Sequence, residues 1–331
     1  MPPISRLVTK LAVFAREGFG DGTRTIVQVF KFLIPTVLIV EGLGFIGALE
    51  LLEQGLTPLM TVLGLPSAFG IVWASALLTN LYSGIAVLAL MLPESGASAA
   101  DVSVLCTMML IAHALPVEGA ITHMIGLKFW WCVVLRVGAA LGFGLVASPL
   151  CAALDWLQHP APSFAFSVPE AHNPGQWLYN QMIQWLSIAL IIYALIYLNL
   201  LLKRLGIERV LLTTLAPLLK GLGIRREAAG MALVGSVLGI TYGSALMLNE
   251  ARLGHIRRKD MILTIIFLSL VHAVIEDTLL MMLAGGHLSL ILFGRLVYGW
   301  VLTLIFWLVY DILERRGWLA WFVHSPIQNK A

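Results

Sequence analysis

The chain has 331 residues, of which 59% are hydrophobic and only 12% charged, and its mean hydropathy is +0.91. A soluble domain carries about twice that share of charge, so a water-soluble fold is excluded and an all-α, polytopic membrane protein is expected. The net charge of +3 says little about partners, because the placement of charge along a membrane chain matters more than its sum.

In chain order, residues 1–25 carry Arg6, Lys10, Arg16 and Arg24 without a long apolar run, so a cleavable signal is not expected. Ile4, Leu7, Leu11 and Phe14 fall near one helical face, which predicts a basic amphipathic helix lying on the cytoplasmic surface. Residues 26–153 read as a first unit. It has a membrane helix at about 28–53, a short amphipathic piece at 55–65, and an apolar stretch interrupted at Thr79–Gly84. Two helices, 101–126 and 128–153, close it. An external loop, 154–178, follows; it holds Asp155, His159, Glu170 and His172 at no metal-site spacing and is expected to be solvated. Residues 179–313 repeat the plan: a helix at 179–203, a piece at 206–223, a stretch interrupted at Gly239–Ser244, and helices 260–284 and 288–313. The tail, 314–331, carries Trp318, Trp321 and Phe322, which suit an interfacial anchor. Cys106, Cys132 and Cys151 sit in apolar segments without ligand spacing and are expected to be free core thiols.

The two units match at a fixed offset of 159 residues. Pro58 pairs with Pro217, Gly64 with Gly223, Gly84 with Gly243, Asp101 with Asp260, His113 with His272, Gly126 with Gly285 and Arg136 with Arg295, without a gap. Generic apolar similarity would not place His, Gly and Arg in register, so the chain is an internal duplication.

Charge sets the handedness of the duplication. Loop 92–101 holds Glu94 and Asp101 and no basic residue, whereas its counterpart 250–260 holds Arg252, Arg257, Arg258 and Lys259. If each interrupted stretch enters and returns as a hairpin, every basic cluster, including Lys203–Arg226 and Arg315-Arg316, falls on the cytoplasmic side. Four full crossings per unit would put the Lys203–Arg226 cluster outside. Three crossings plus a re-entrant hairpin make the repeats inverted, as in many secondary transporters. The returning arms, taken as 85–92 and 244–251, reach only ~12 Å each, which would leave the tips short of the midplane.

The Pro58–Gly64 lead-in, the broken hairpin at Asn80–Gly84, the 92–101 loop and the His113 helix, with their second-unit equivalents, form a recognisable layout. It resembles the Gate, or nucleoside-recognition, membrane protein family, which includes spore-maturation-like proteins and the Gate segments of bacterial ferrous-iron transporters. It is also similar in plan to concentrative nucleoside transporters. The resemblance implies transport, with a nucleoside-like solute or a metal ion as cargo.

Ionisable residues in membrane segments are expensive and mark function by default. Glu118 and Arg136 lie about nine residues either side of the turn at Gly126–Lys128, and Asp277 and Arg295 flank Gly285–Gly286 in the same way. Each unit is therefore expected to carry a carboxylate–guanidinium pair. Such a pair either locks two helices together or turns its arginine to an anionic solute. On a regular helix His113 and Glu118, at i and i+5, stand ~140° apart, so His113 and His272 are expected not to share a face with their aligned acids, with Pro116 expected to disturb the first of these helices. Glu276, at i+4 from His272, shares its face. Glu41, in the first membrane helix, and Glu276 have no evident cationic partner. With His113, Glu118, His272 and Asp277, they are candidates for proton, sodium or divalent-metal handling. The hairpin tips offer neutral hydrogen-bonding groups to a solute: Asn80, Tyr82 and Ser83, and Thr241, Tyr242 and Ser244.

The expected function is secondary transport of a small polar or anionic solute by alternating access. A divalent-cation pathway, a non-transporting assembly or signalling role, and lipid handling are the alternatives. No HExxH, GxSxG or P-loop pattern is present, so an enzyme is not expected. The expected surroundings are the inner-membrane bilayer, with both termini cytoplasmic, a small-molecule or ion substrate, and further copies of the chain in a homo-oligomer. No nucleic acid is expected, and no cofactor beyond a coupling proton, sodium or divalent metal ion.

Overall fold

The computed structural model describes the chain except residues 1–2, 162–172, 207–209, 211, 212, 215, 218, 220, 239–242, 245, 249, 251–255 and 324–331. The protein is an all-α, multi-pass membrane protein. Five stretches are long and apolar enough to cross a bilayer: Ala12–Phe45, Ala99–Met124, Phe129–Ala153, Pro174–Leu202 and Ser289–Arg315.

The first helix, α1 (Pro3–Phe45), is continuous over 43 residues. The basic N-terminal segment and the first apolar stretch are therefore one helix, not a surface helix followed by a membrane helix. The reason lies in α8 (Pro174–Arg204), whose tyrosines fit the glycines of α1. A Cβ on Gly18 or Gly22 would sit within 2.2 Å of Tyr197 and 2.3 Å of Tyr193, respectively. The Tyr197 hydroxyl donates to the Ala15 carbonyl at 2.9 Å, and Arg204 meets Glu17 at 3.3 Å. The chain then turns at Gly47, in the left-handed region at φ 69°, into α2 (Ala48–Leu63), which stops at Gly64.

Helices α3 (Phe69–Leu78) and α4 (Leu81–Ser95) form the first hairpin. Asn80 breaks the pair: its backbone is extended and its side chain caps α4 by accepting from Ser83 N at 3.0 Å. The arms touch where a Cβ on Gly84 would lie 2.8 Å from Ala76 Cβ. In the second unit α9 (Arg226–Leu238) supplies the equivalent first arm, and there Gly235 meets Gly243 so closely that a Cβ on Gly243 would lie 2.6 Å from Gly235 Cα. The returning arm of the first hairpin has 15 residues, about 22 Å of helix. This is nearly twice the expected reach, because α4 starts directly after Asn80.

Two central helices are each broken. α5 (Ala99–Ile111) is followed by α6 (Leu115–Met124), and α10 (Arg258–Leu270) by α11 (Glu276–Leu283). Beyond their first turns α5 and α10 have no charged residue and are wholly buried, as a helix without a polar face must be. α7 (Phe129–Ala153) and α12 (Arg295–Arg315) pack on them, while α1 packs on α2, α4 and α8, and α8 also on α11. The outward faces of α1, α7, α8 and α12 expose Val27, Phe45, Trp130, Leu190, Val297 and Leu308, which suits contact with lipid. A π-helical turn, Ser289–Gly294, leads into α12, and α13 (Leu319–Phe322) follows it.

Contacts gather the connections at two ends. At one, Lys128 N donates to Phe322 O at 2.9 Å, and Lys259 pairs with Asp311 at 2.8 Å. At the other, Ala99 N donates to His159 O at 2.9 Å, His287 N to Ser103 Oγ at 2.9 Å, and Ser148 Oγ to Gly64 O at 3.4 Å. Both feet of the α3–α4 hairpin lie at this second end, so the hairpin enters and returns. A cavity of about 450 Å³ opens beside its feet, lined in part by Glu50, Glu53 and Glu94.

Candidate functional site

The breaks in the central helices make the site. Ala114 and Ala273 adopt left-handed conformations at φ 45° and 46°, which cost a residue with a Cβ about 1–3 kcal/mol. Ending a helix inside the protein leaves its last carbonyls without amide partners. Side chains take them up in both units alike. His113 Nδ1 bonds the Met109 carbonyl and His272 Nδ1 the Leu268 carbonyl, each at 2.8 Å. Arg136 Nε donates to Ile111 O and Arg295 Nε to Leu270 O, each at 2.9 Å. A guanidinium suits the negative end of a helix dipole. The broken helices are also tied to their hairpins: Ala114 N donates to Ala76 O at 2.9 Å, and Val274 N to Ser236 O at 2.8 Å.

Glu118 stands at the centre. One carboxylate oxygen pairs with Arg136 Nη1. The other lies 2.9 Å from His113 Nε2 and 3.3 Å from His272 Nε2. The two imidazoles face one another with ring centroids 5.3 Å apart. The expectation that the histidines share no face with their acids is thus overturned for the first unit. The ~140° argument assumes a regular helix, and the break at Ala114 swings α6 so that Glu118 returns to His113.

The second unit departs from the first. Among the described residues Asp277 and Arg295 form no ion pair, against the expectation of one pair per unit. Asp277 is a methylene shorter than Glu118, and the π-turn stands directly before Arg295. Arg295 is 2% exposed, yet Nη1 and Nη2 have no hydrogen-bond partner, and Asp277 Oδ2 has none either. His113, His272 and Asp277 each bring a potential ligand atom to within 4.8 Å of one another.

The chain is similar to one curated protein, a membrane protein of uncharacterized function. That relative is YvoD of Bacillus subtilis (strain 168), 26% identical over 296 residues, which are 87% of this chain and 92% of the relative. No family model matches the chain, and no solved structure matches it.

Of the residues singled out from the sequence, His113, Glu118, Arg136, His272, Asp277 and Arg295 come together. Tyr82, at the first hairpin tip, lies within electrostatic reach of Glu276 and Asp277. Asn80 and Ser83 bond each other as a helix cap. Ser244 is buried, and its hydroxyl has no partner. Thr241 and Tyr242 lie outside the described residues. Glu41 sits half-buried on α1, apart from this centre's ion pairs. The three cysteines are buried and free. Two residues went unnoticed in the sequence: Gln181 and Gln184 on α8, 1% and 3% exposed, each with at least one amide atom unpartnered. Two glutamines in an apolar helix were the available signal.

Proposed function

We propose that the protein is a secondary transporter of a small polar solute, anionic or nucleoside-like, working by alternating access between two inverted repeats. The observation that carries this reading is the open fork of Arg295. Two guanidinium nitrogens are buried without partners among the described residues, beside the end of the second broken helix. A buried, unpaired guanidinium is costly, and a planar anion offering two acceptors relieves it. Asn80, Tyr82, Ser83, Thr241, Tyr242 and Ser244 would supply neutral contacts from the tips.

The sorting of connections supports the inverted arrangement. The turn at Lys128 joins α13, as it must if the 126–128 turn and the C-terminal tail share one side. Basic residues on that side make it cytoplasmic by the positive-inside rule, in an inner membrane, with the chain assembled as a homo-oligomer. The Gate-like layout of lead-in, broken hairpin and polar helix points the same way. No enzymatic activity is proposed.

The test is a thermal-shift screen of nucleosides, carboxylates and phosphates on purified protein, because a ligand that binds the native state stabilises it. Uptake into proteoliposomes follows for any hit. The reading predicts at least one ligand whose stabilisation disappears in Arg295→Gln. Hits that survive that substitution and are not taken up would sink it.

A further inference from the structure

We infer that His113, His272, Glu118 and Asp277 form a binding site for a first-row divalent transition-metal ion, built jointly by the two halves of the chain. The tautomers are the starting point. A carbonyl oxygen only accepts, so the Nδ1 atoms bonded to Met109 O and Leu268 O must both carry the proton. An imidazole whose single proton sits on Nδ1 presents its Nε2 lone pair to the centre. There it meets not a donor but an acceptor, Glu118 Oε1, at 2.9 Å from one ring and 3.3 Å from the other. Arg136 occupies the other oxygen of that carboxylate, so Oε1 is left to the imidazoles. Three lone pairs converging in a buried space repel one another unless a proton or a metal ion stands between them, and a single metal ion serves both rings at once.

The donor set fits such an ion. Two imidazole nitrogens and two carboxylates suit zinc, manganese or ferrous iron. Metal-binding histidines characteristically donate their second N–H to a carbonyl or carboxylate, which fixes ring and tautomer. Both rings here do so. Asp277 contributes an oxygen buried without a partner, and its ligand atom lies within 4.8 Å of those of both histidines. Ligands around a four-coordinate zinc stand about 3.3 Å apart, given bonds of about 2.0–2.1 Å. The Glu118–His272 contact of 3.3 Å matches that spacing and the Glu118–His113 contact of 2.9 Å is shorter, while Asp277 stands within 4.8 Å of both histidines. A dication adds two positive charges to a centre that already holds Arg136 and Arg295 against Glu118 and Asp277, with Glu276 close enough to act on Asp277. The free fork of Arg295 is where a balancing anion would sit, which links this site to the proposed solute. The metal site itself rests on the cluster's geometry, not on transport.

The experiment titrates Co2+ into chelator-treated, full-length protein in lipid nanodiscs. Visible d–d absorption and calorimetry are read together. The expected result is one Co2+ per chain with the intense bands of a four-coordinate site. His272→Gln and Asp277→Asn should each weaken binding by no less than the roughly 10–100-fold that loss of a mere supporting partner costs. His287→Gln should bind as the wild type does, since that ring lies against Trp156 and Ser289. Absence of saturable binding, or binding unchanged in His272→Gln and Asp277→Asn, overturns the inference. Should the substitutions unfold the chain, the wild-type melting temperature decides: no rise at saturating Co2+ overturns it as well. Solute uptake is not read here, so a chain that binds Co2+ but moves no solute upholds the metal site and counts against transport alone.

Discussion

The imidazoles of His113 and His272, 159 residues apart in the chain, converge on a single oxygen of Glu118, with ring centroids 5.3 Å apart. A residue pair created by duplication thus shares one carboxylate from the first half. That makes Glu118 the residue whose loss should be felt in both halves.

Glu118→Gln leaves Arg136 buried, at 0% exposure, without its counter-charge. Removing one partner of a buried pair costs about 3–5 kcal/mol. The double variant Glu118→Gln/Arg136→Gln should lose clearly less than the sum of the two single losses, because neither charge is then stranded. Thermal unfolding of the four proteins in one detergent measures the coupling, and strict additivity would contradict the pairing.

The two arginines should behave differently. Arg136 is held by Glu118 and by the carbonyls of Ile111 and His113, whereas Arg295 has a single carbonyl partner, Leu270. Arg136→Gln is therefore expected to lower the melting temperature more than Arg295→Gln. The latter should act mainly on ligand affinity. Parallel melting and binding curves separate the two effects.

Gln184 is buried with both amide atoms unpartnered. Replacing an unsatisfied buried amide by an apolar group of similar size is neutral or stabilising, since its desolvation is no longer uncompensated. Gln184→Leu should melt no lower than the wild type. If the amide meets the solute, the same change weakens ligand binding.

The hairpin crossings rank two substitutions. Alanine at Gly84 meets the movable end of Met109 and the Cβ of Ala76, whereas alanine at Gly243 meets the backbone of Gly235. Overpacking typically costs about 1–3 kcal/mol, and a backbone yields less readily than a methionine. Gly243→Ala should therefore be the more damaging of the two, by melting temperature or by yield of folded protein.

Side-labelling tests the arrangement of connections. Cysteines placed at Lys128 and Ala320, whose side chain and carbonyl bond at 2.8 Å, should react from the same face of sealed vesicles. Cysteines at Ser98 and His159 should react from the opposite face. A split within either pair would contradict the fold.

Much of this was legible in the sequence. The offset of 159 residues located all six polar residues of the centre, and Asn80 and Gly84 marked the first hairpin. What the sequence hid was the left-handed alanine at each break, Ala114 and Ala273, and in the second half the break itself. Alanine is the best helix former, and nothing local announces a left-handed alanine. Pro116, suited to the start of α6, was a signal in the first half only. Without the breaks, helical geometry placed the histidines on the wrong face. The missing Asp277–Arg295 pair was equally hidden, since a π-turn leaves no mark in the spacing of residues.

The long first helix has a consequence of scale. Forty-three residues extend about 65 Å, roughly twice the hydrocarbon thickness of a bilayer, and the 31 residues of α8 extend about 47 Å. Clasped through Gly18, Gly22, Tyr193 and Tyr197, the two helices form a stem longer than the hydrocarbon layer is thick. One rod of this stem comes from each half. Any rocking of the halves must therefore bend the stem or slide its rods, so the tyrosine–glycine clasp is where such motion would be felt first.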